Sequence, residues 1–205
     1  MSLQILPLAI TMMAGPQIMS AIIFVTTSKP LKLSAAFLAA VAIAATVGLA
    51  IFFVLANNFS LGDSNNSGST GNIIQYVLVG LLVLLSIKNY VRRETIEPPK
   101  WLGTLQSAEP GTAFKTGFLL ISLMPSDLII MLTVGTNLAQ HNAGLVAGLP
   151  FLLATVLVAA LPILFYLLFR SRAQTFMPKV RDWMNNNSWL VNIIVCFVFI
   201  ALILF

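Results

Sequence analysis

The 205-residue chain is 59% hydrophobic and only 8% charged, and its mean hydropathy is +0.96. A soluble domain carries about a quarter charged residues, so this composition indicates an integral membrane protein and excludes a soluble enzyme or a disordered chain. One cysteine excludes an intramolecular disulfide, and one histidine excludes a multi-histidine metal site. The net charge of +5 does not indicate nucleic acid, because in a membrane protein the positions of the basic residues matter more than their sum.

Six apolar stretches are long enough to cross a bilayer, since a spanning helix needs about 20 residues. The first has no basic segment ahead of its apolar part, so we interpret it as a span and not as a cleavable signal peptide. The chain is therefore predicted to be an all-α membrane protein with six transmembrane helices. Their predicted bounds are 3–28, 34–56, 72–91, 116–138, 144–169 and 189–205.

The positions of the basic residues predict the orientation of these spans. All eleven Lys and Arg residues fall within 29–32, 88–115 and 170–181, around the connections that follow spans one, three and five. The opposite loops, 57–71 and 139–143, contain none. By the positive-inside rule, the three basic connections are cytoplasmic and both termini are extracytoplasmic. We expect a multi-pass protein of the plasma membrane.

The last basic connection has a helical pattern of its own. Val180, Trp183 and Met184 recur at helical spacing after Pro178, with charged residues between them. This pattern fits a short amphipathic helix on the membrane surface. A plain solvated loop fits it equally well.

An internal repeat relates the two halves of the chain. A shift of 109 positions places Pro16 on Pro125 and Thr46 on Thr155. Each half holds three spans, an odd number, so the second half must enter the membrane from the opposite side. We therefore predict two inverted three-helix repeats, 1–91 and 116–205, joined by a cytoplasmic linker, 92–115. The two repeats should superpose after rotation about an axis in the membrane plane.

Each half has an interrupted span, at Gly15-Pro16-Gln17 and at Met124-Pro125-Ser126-Asp127. A proline inside a helix removes one backbone donor and clashes with the preceding turn. Inverted repeats with interrupted helices are typical of secondary transporters, whose site lies near the midplane between the repeats. The alternative interpretation is a pair of ordinary proline kinks, which are common in membrane helices.

Asp127 is the one acidic residue inside a predicted span. A carboxyl at the bilayer centre costs about 2.5–3.5 kcal/mol on insertion scales, and such residues usually have a function. We predict that Asp127 faces a polar cavity close to Gln17 and acts as a proton carrier or cation ligand; the alternative is a permanently protonated, structural carboxyl. No catalytic residue, metal or cofactor is predicted. The predicted substrate and coupling-ion residues are Asp127, Gln17, Pro16, Pro125, Ser126, Ser20 and Thr133.

The segment from Pro99 to Gly135 carries a family resemblance. Pro99, Trp101, Pro110, Gly117 and Pro125 fall where the GAP family has a P-x-W segment, a linker, a Gly-Phe-Leu-Leu-like helix and an Asn-Pro-Lys-Asn-Leu motif. This family is named for peptidoglycolipid addressing, is also called sulfolipid-1-addressing-like, and belongs to the LysE transporter superfamily. The resemblance implies a LysE-like 3+3 fold and export of a solute or lipid-linked molecule.

The chain departs from the family at the second interruption. Where the family has Asn-Pro-Lys-Asn, this chain has Met124-Pro125-Ser126-Asp127. The basic residue is absent and the last amide is replaced by a carboxyl, so a mechanism that needs the lysine does not carry over.

Two functions are compatible with these sequence features. The first is a secondary exporter of a small metabolite or lipid-linked solute, coupled to protons through Asp127. The second is a non-transporting membrane factor that assists assembly or delivery of an envelope glycolipid. A redox enzyme of the same superfamily would need two membrane cysteines, and only Cys196 is present. The expected partners are the bilayer, the substrate and, in an oligomer, further copies of the chain.

Overall fold

The computed structural model describes residues 6–58, 80, 83–84, 86–88, 90–91, 104–187, 189–190, 193–194, 196–197 and 200. Helices dominate these residues, and no strand occurs among them. This confirms the all-α prediction. The helices are α1 (Leu6–Met13), α2 (Pro16–Val25), α3 (Pro30–Asn58), α4 (Pro110–Leu123), α5 (Pro125–Gln140), α6 (Leu149–Leu168) and α7 (Arg170–Asn186), with 3-10 turns at Leu105–Ser107 and Leu145–Gly148.

Among the described residues, two long apolar helices and two bent helix pairs are candidates for the membrane part. Pro30–Asn58 and Leu145–Leu168 are each long and apolar enough to cross a bilayer. The α1–α2 pair bends by 66° and the α4–α5 pair by 64°, so up to four spans are present if each pair counts as one. Spans 72–91 and 189–205 lie mostly outside the described residues, and six spans and their inverted repeat remain predictions.

Both bends have a local cause in the backbone. Gly15 has φ +91° and ψ −136°, a region open to glycine and strained for other residues. Met124 is extended, at φ −69° and ψ 123°, as expected of a residue before proline. Pro16 and Pro125 then begin α2 and α5, where proline is favoured because the first helical amide needs no partner.

Helix α3 lies at the centre of the bundle and packs along α4, α5 and α6. Glycines permit this close packing: a Cβ added to Gly117 would lie 2.9 Å from the Phe37 ring, and one added to Gly135 would lie 2.9 Å from the backbone of Phe52 and Phe53. Small residues at helix contacts are typical of membrane bundles, because they let backbones approach each other.

Helix α7 confirms the helical interpretation of the last basic connection, and the loop alternative is wrong. Ala173, Met177 and Met184 are buried at spacings of four and seven, which place them on one helix face. That face packs against α2 and α6. Phe176 and Trp183 are about half exposed, so α7 also presents aromatic side chains outward.

Candidate functional site

The two interrupted spans meet at a buried pair of polar side chains. The Gln17 amide Nε2 donates to Asp127 Oδ2 at 2.7 Å, and each residue is only 1% exposed. On the other carboxyl oxygen, the Ser126 hydroxyl donates to Asp127 Oδ1 at 3.3 Å. Each oxygen of the carboxyl therefore has one neutral donor, without a cationic partner among the described residues.

The helix breaks place these side chains. Gln17 is the second residue of α2, and Asp127 is the third residue of α5. The main-chain amides of Asp127 and Leu128 both donate to the Met124 carbonyl, each at 3.1 Å. No side chain caps the start of either helix. The pair thus lies at two positive helix ends, where negative charge is stabilised by the helix dipole.

The remaining predicted residues divide into two groups. Pro16 and Pro125 flank the pair, and Ser20 is fully buried one turn beyond Pro16, to whose carbonyl it donates at 2.8 Å. Thr133 is not brought to the site. It is exposed, and its hydroxyl donates to the Ile129 carbonyl at 2.8 Å. Thr133 is six residues after Asp127 in the same helix. Residues share a helix face when they are three or four apart, so Thr133 points away from Asp127.

One acceptor in the site has no partner. Gln17 Oε1 is buried without a hydrogen bond in the described part of the chain, which costs about 1–3 kcal/mol. It lies beside Gly15, where an added Cβ would be 3.7 Å from it. The sequence does not predict this unpaired acceptor, although the Gly15-Pro16 pair indicates an unusual backbone at this point.

Among the described residues the pair is closed off from solvent, and none of the cavities described below includes Asp127 in its lining. The polar cavity expected at Asp127 stays a prediction. Gln17 and Asp127 are each 1% exposed and contact each other directly through their hydrogen bond. A cavity of about 340 Å³ lies alongside, between α3, α4 and α5, but its lining is mainly apolar and includes Ser122, Leu128 and Met131 instead of Asp127. In the described part of the chain, no group of three His, Cys, Asp or Glu side chains is placed to hold a metal ion.

Comparison with known families identifies the chain. Residues 5–205 match the family described as Sap, sulfolipid-1-addressing protein. The chain belongs to this family. No match was found among curated proteins or among solved structures.

Membership of the sulfolipid-1-addressing protein family confirms the resemblance seen between Pro99 and Gly135. The match covers nearly the whole chain, so the broken helices, α3, α6 and the Gln17–Asp127 pair all lie within it. Together with the two long apolar helices, this describes a membrane-embedded helical protein. Placement of the family within the LysE superfamily stays a prediction.

Proposed function

We propose that the protein is a secondary membrane transporter that exports a small metabolite or a lipid-linked solute. In this proposal six spans form two inverted LysE-like repeats in the plasma membrane, with both termini extracytoplasmic. The chain has no enzymatic activity of its own. The observation that carries the proposal is the buried hydrogen bond between Gln17 and Asp127, which joins the breaks of two spans bent by 66° and 64°.

Several features support a transport site at this pair. Broken helices in membrane proteins persist where their freed backbone groups face protein or a polar cavity, and transporters place substrate and ions at such breaks. In the described part of the chain, the donors to Asp127 are neutral side chains, so no fixed cation there holds the carboxyl in its charged form. Gln17 Oε1 has no donor among the described residues and is available to accept a hydrogen bond from a substrate hydroxyl or amine.

The closed pair fits one stage of an alternating cycle. Protonation of Asp127 removes its charge and allows the two breaks to pack together, whereas deprotonation creates a charge that substrate or water must solvate. Opening therefore requires α2 to separate from α5. The 340 Å³ cavity beside Leu128 and Met131 gives α5 apolar space into which it can move.

A second function is favoured by the family description. The words "sulfolipid-1-addressing" name delivery of a lipid, which suits a factor that assists glycolipid assembly or delivery without moving a substrate itself. In that function the Gln17–Asp127 pair would fix the two broken spans together.

Transport by the purified protein separates the two functions. The protein is reconstituted into liposomes loaded with a metabolite pool, and efflux is followed with and without a pH gradient. The exporter is supported if efflux depends on the gradient, and if this dependence is lost in Asp127→Asn but kept in Glu109→Gln. Glu109→Gln is the control, because it changes a carboxyl outside the helices. If no component of the pool moves under any gradient, the exporter is rejected in favour of the delivery factor.

A further inference from the structure

A second site lies at one end of the bundle, apart from the Gln17–Asp127 pair in the interior. A cavity of about 500 Å³ opens where the start of α3 meets the end of α6 and the start of α7. Three cationic side chains line it, from Lys29, Lys32 and Arg170. None of the three forms an ion pair in the described part of the chain, and no acidic residue is among the lining residues.

A tyrosine that is buried except at the cavity points to a ligand there. Tyr166 lines it and is 9% exposed, yet its hydroxyl has no hydrogen bond within the described residues. The hydroxyl of a largely buried tyrosine usually has a hydrogen-bond partner. The cavity is the open side from which such a partner can reach it.

The backbone adds to the positive charge. Helix α3 begins at Pro30 and runs for 29 residues, so its positive end and its unpaired first amides lie between Lys29 and Lys32 at the cavity. Helix starts with nearby cations bind tetrahedral oxyanions such as phosphate and sulfate. Arg170 supplies a planar donor group that suits the same oxyanions.

The apolar lining selects a lipid over a free ion. Leu31 and Leu167 line the cavity and are 54% and 57% exposed, on helices that are apolar enough to span a membrane. A ligand in the cavity would therefore contact cations at one end and acyl chains of the bilayer at the other. Basic pockets between membrane helices bind anionic lipid headgroups.

We propose that Lys29, Lys32, Arg170 and Tyr166 form a binding site for an anionic lipid headgroup, a phosphate or sulfate ester with its acyl chains along Leu31 and Leu167. The site does not depend on transport. It holds for an exporter and for a delivery factor alike.

Lipid binding to the full-length protein in detergent tests this site. Native mass spectrometry follows titration with phosphatidylglycerol, with zwitterionic phosphatidylcholine and with inorganic phosphate. We expect preferential retention of phosphatidylglycerol, with affinity reduced about a hundredfold in Lys29→Gln/Lys32→Gln/Arg170→Gln, as expected for three interfacial cations. The control Lys88→Gln/Lys115→Gln/Lys179→Gln removes the same charge from exposed positions elsewhere and should retain the lipid.

Two further measurements test the site independently of the triple variant. Tyr166→Phe removes only the hydroxyl and should weaken phosphatidylglycerol binding about threefold to tenfold, as expected for one hydrogen bond of ordinary strength. This variant tests the site even if the triple variant does not fold. The proposed site is wrong if phosphatidylglycerol and phosphatidylcholine are retained equally, or if the triple variant and its control lose phosphatidylglycerol equally. Displacement of the lipid by equimolar phosphate would assign the cavity to a free anion and also overturn the proposal.

Discussion

Gln17 and Asp127 are 110 positions apart in the chain, and their side chains share a 2.7 Å hydrogen bond in the interior. Each lies within three residues of the start of a helix that begins with proline. The bond therefore connects the two points at which the spans are interrupted. Any movement that separates α2 from α5 must break it.

Replacement of Gln17 by leucine should destabilise the fold. Gln17→Leu removes the donor to Asp127 Oδ2 and leaves a buried carboxyl oxygen unpaired, at a cost of about 1–3 kcal/mol in the free energy of unfolding. Thr133→Val removes a hydroxyl from an exposed face and should change stability by less than about 0.5 kcal/mol. Unfolding in mixed micelles measures both variants.

A double-mutant cycle shows whether the cost of Gln17→Leu belongs to the pair. In Gln17→Leu/Asp127→Leu the unpaired carboxyl is gone, so the double variant should be more stable than the sum of its single changes by about 0.5–3 kcal/mol. Strict additivity would mean that the two side chains do not stabilise each other.

The backbone at Gly15 should tolerate no side chain. Gly15 has φ +91°, so Gly15→Ala should cost about 1–3 kcal/mol through backbone strain. Gly111 lies in α4 with open space at its Cβ position, and Gly111→Ala should be neutral or stabilising by about 0.5–1 kcal/mol. Equal thermal stability of the two variants would show that α1 and α2 do not need this turn.

Two glycines of the bundle should respond differently to the same change. A Cβ at Gly135 would lie 2.9 Å from the backbone of α3, which cannot shift locally, so Gly135→Ala should cost about 1–3 kcal/mol. A Cβ at Gly48 would meet the end of the Met131 side chain, which is flexible and borders a cavity. Gly48→Ala should therefore be close to neutral in the same unfolding measurement.

The sequence predicted the elements that depend on composition and on proline. Long apolar runs predicted α3 and the Leu145–Leu168 segment, and Pro16 and Pro125 predicted both interruptions. The contact between Gln17 and Asp127 was predictable because each residue lies close after a proline, at a similar depth in its span. Such inferences succeed because bilayer thickness and the missing proline amide restrict the chain locally.

Other features depend on side-chain direction and long-range packing, which the sequence does not contain. The position of Thr133 along its span predicts that it lies near the site, but the rotation of the helix puts its side chain on the exposed face. The closed packing around Asp127 and the cavity that Lys32 and Arg170 both line depend on how whole helices dock. The polar residues of a single span predict neither of these two features, because both depend on contacts between helices.

The orientation prediction is tested by labelling from outside the cell. In a Cys196→Ala background, His141→Cys and Glu109→Cys place single thiols at exposed positions in connections that the positive-inside rule assigns to opposite sides. An impermeant thiol reagent should label position 141 in intact cells and position 109 only after permeabilisation. Labelling of position 109 in intact cells would reverse the orientation.

The role of Asp127 is tested by removing its charge at nearly constant volume. Asp127→Asn keeps an oxygen that can accept from Gln17 Nε2, so folding should change little. A proton carrier must alternate between two charge states, and an amide cannot, so we expect transport in proteoliposomes either to stop or to continue at a rate that no longer depends on pH. The second result is reasonable because the motif that this segment resembles has an amide at the position of Asp127. Matched Glu109→Gln should keep the pH profile of the original protein. Transport by Asp127→Asn with an unchanged pH profile would instead assign the carboxyl a structural role, as a buried acceptor that holds α2 against α5.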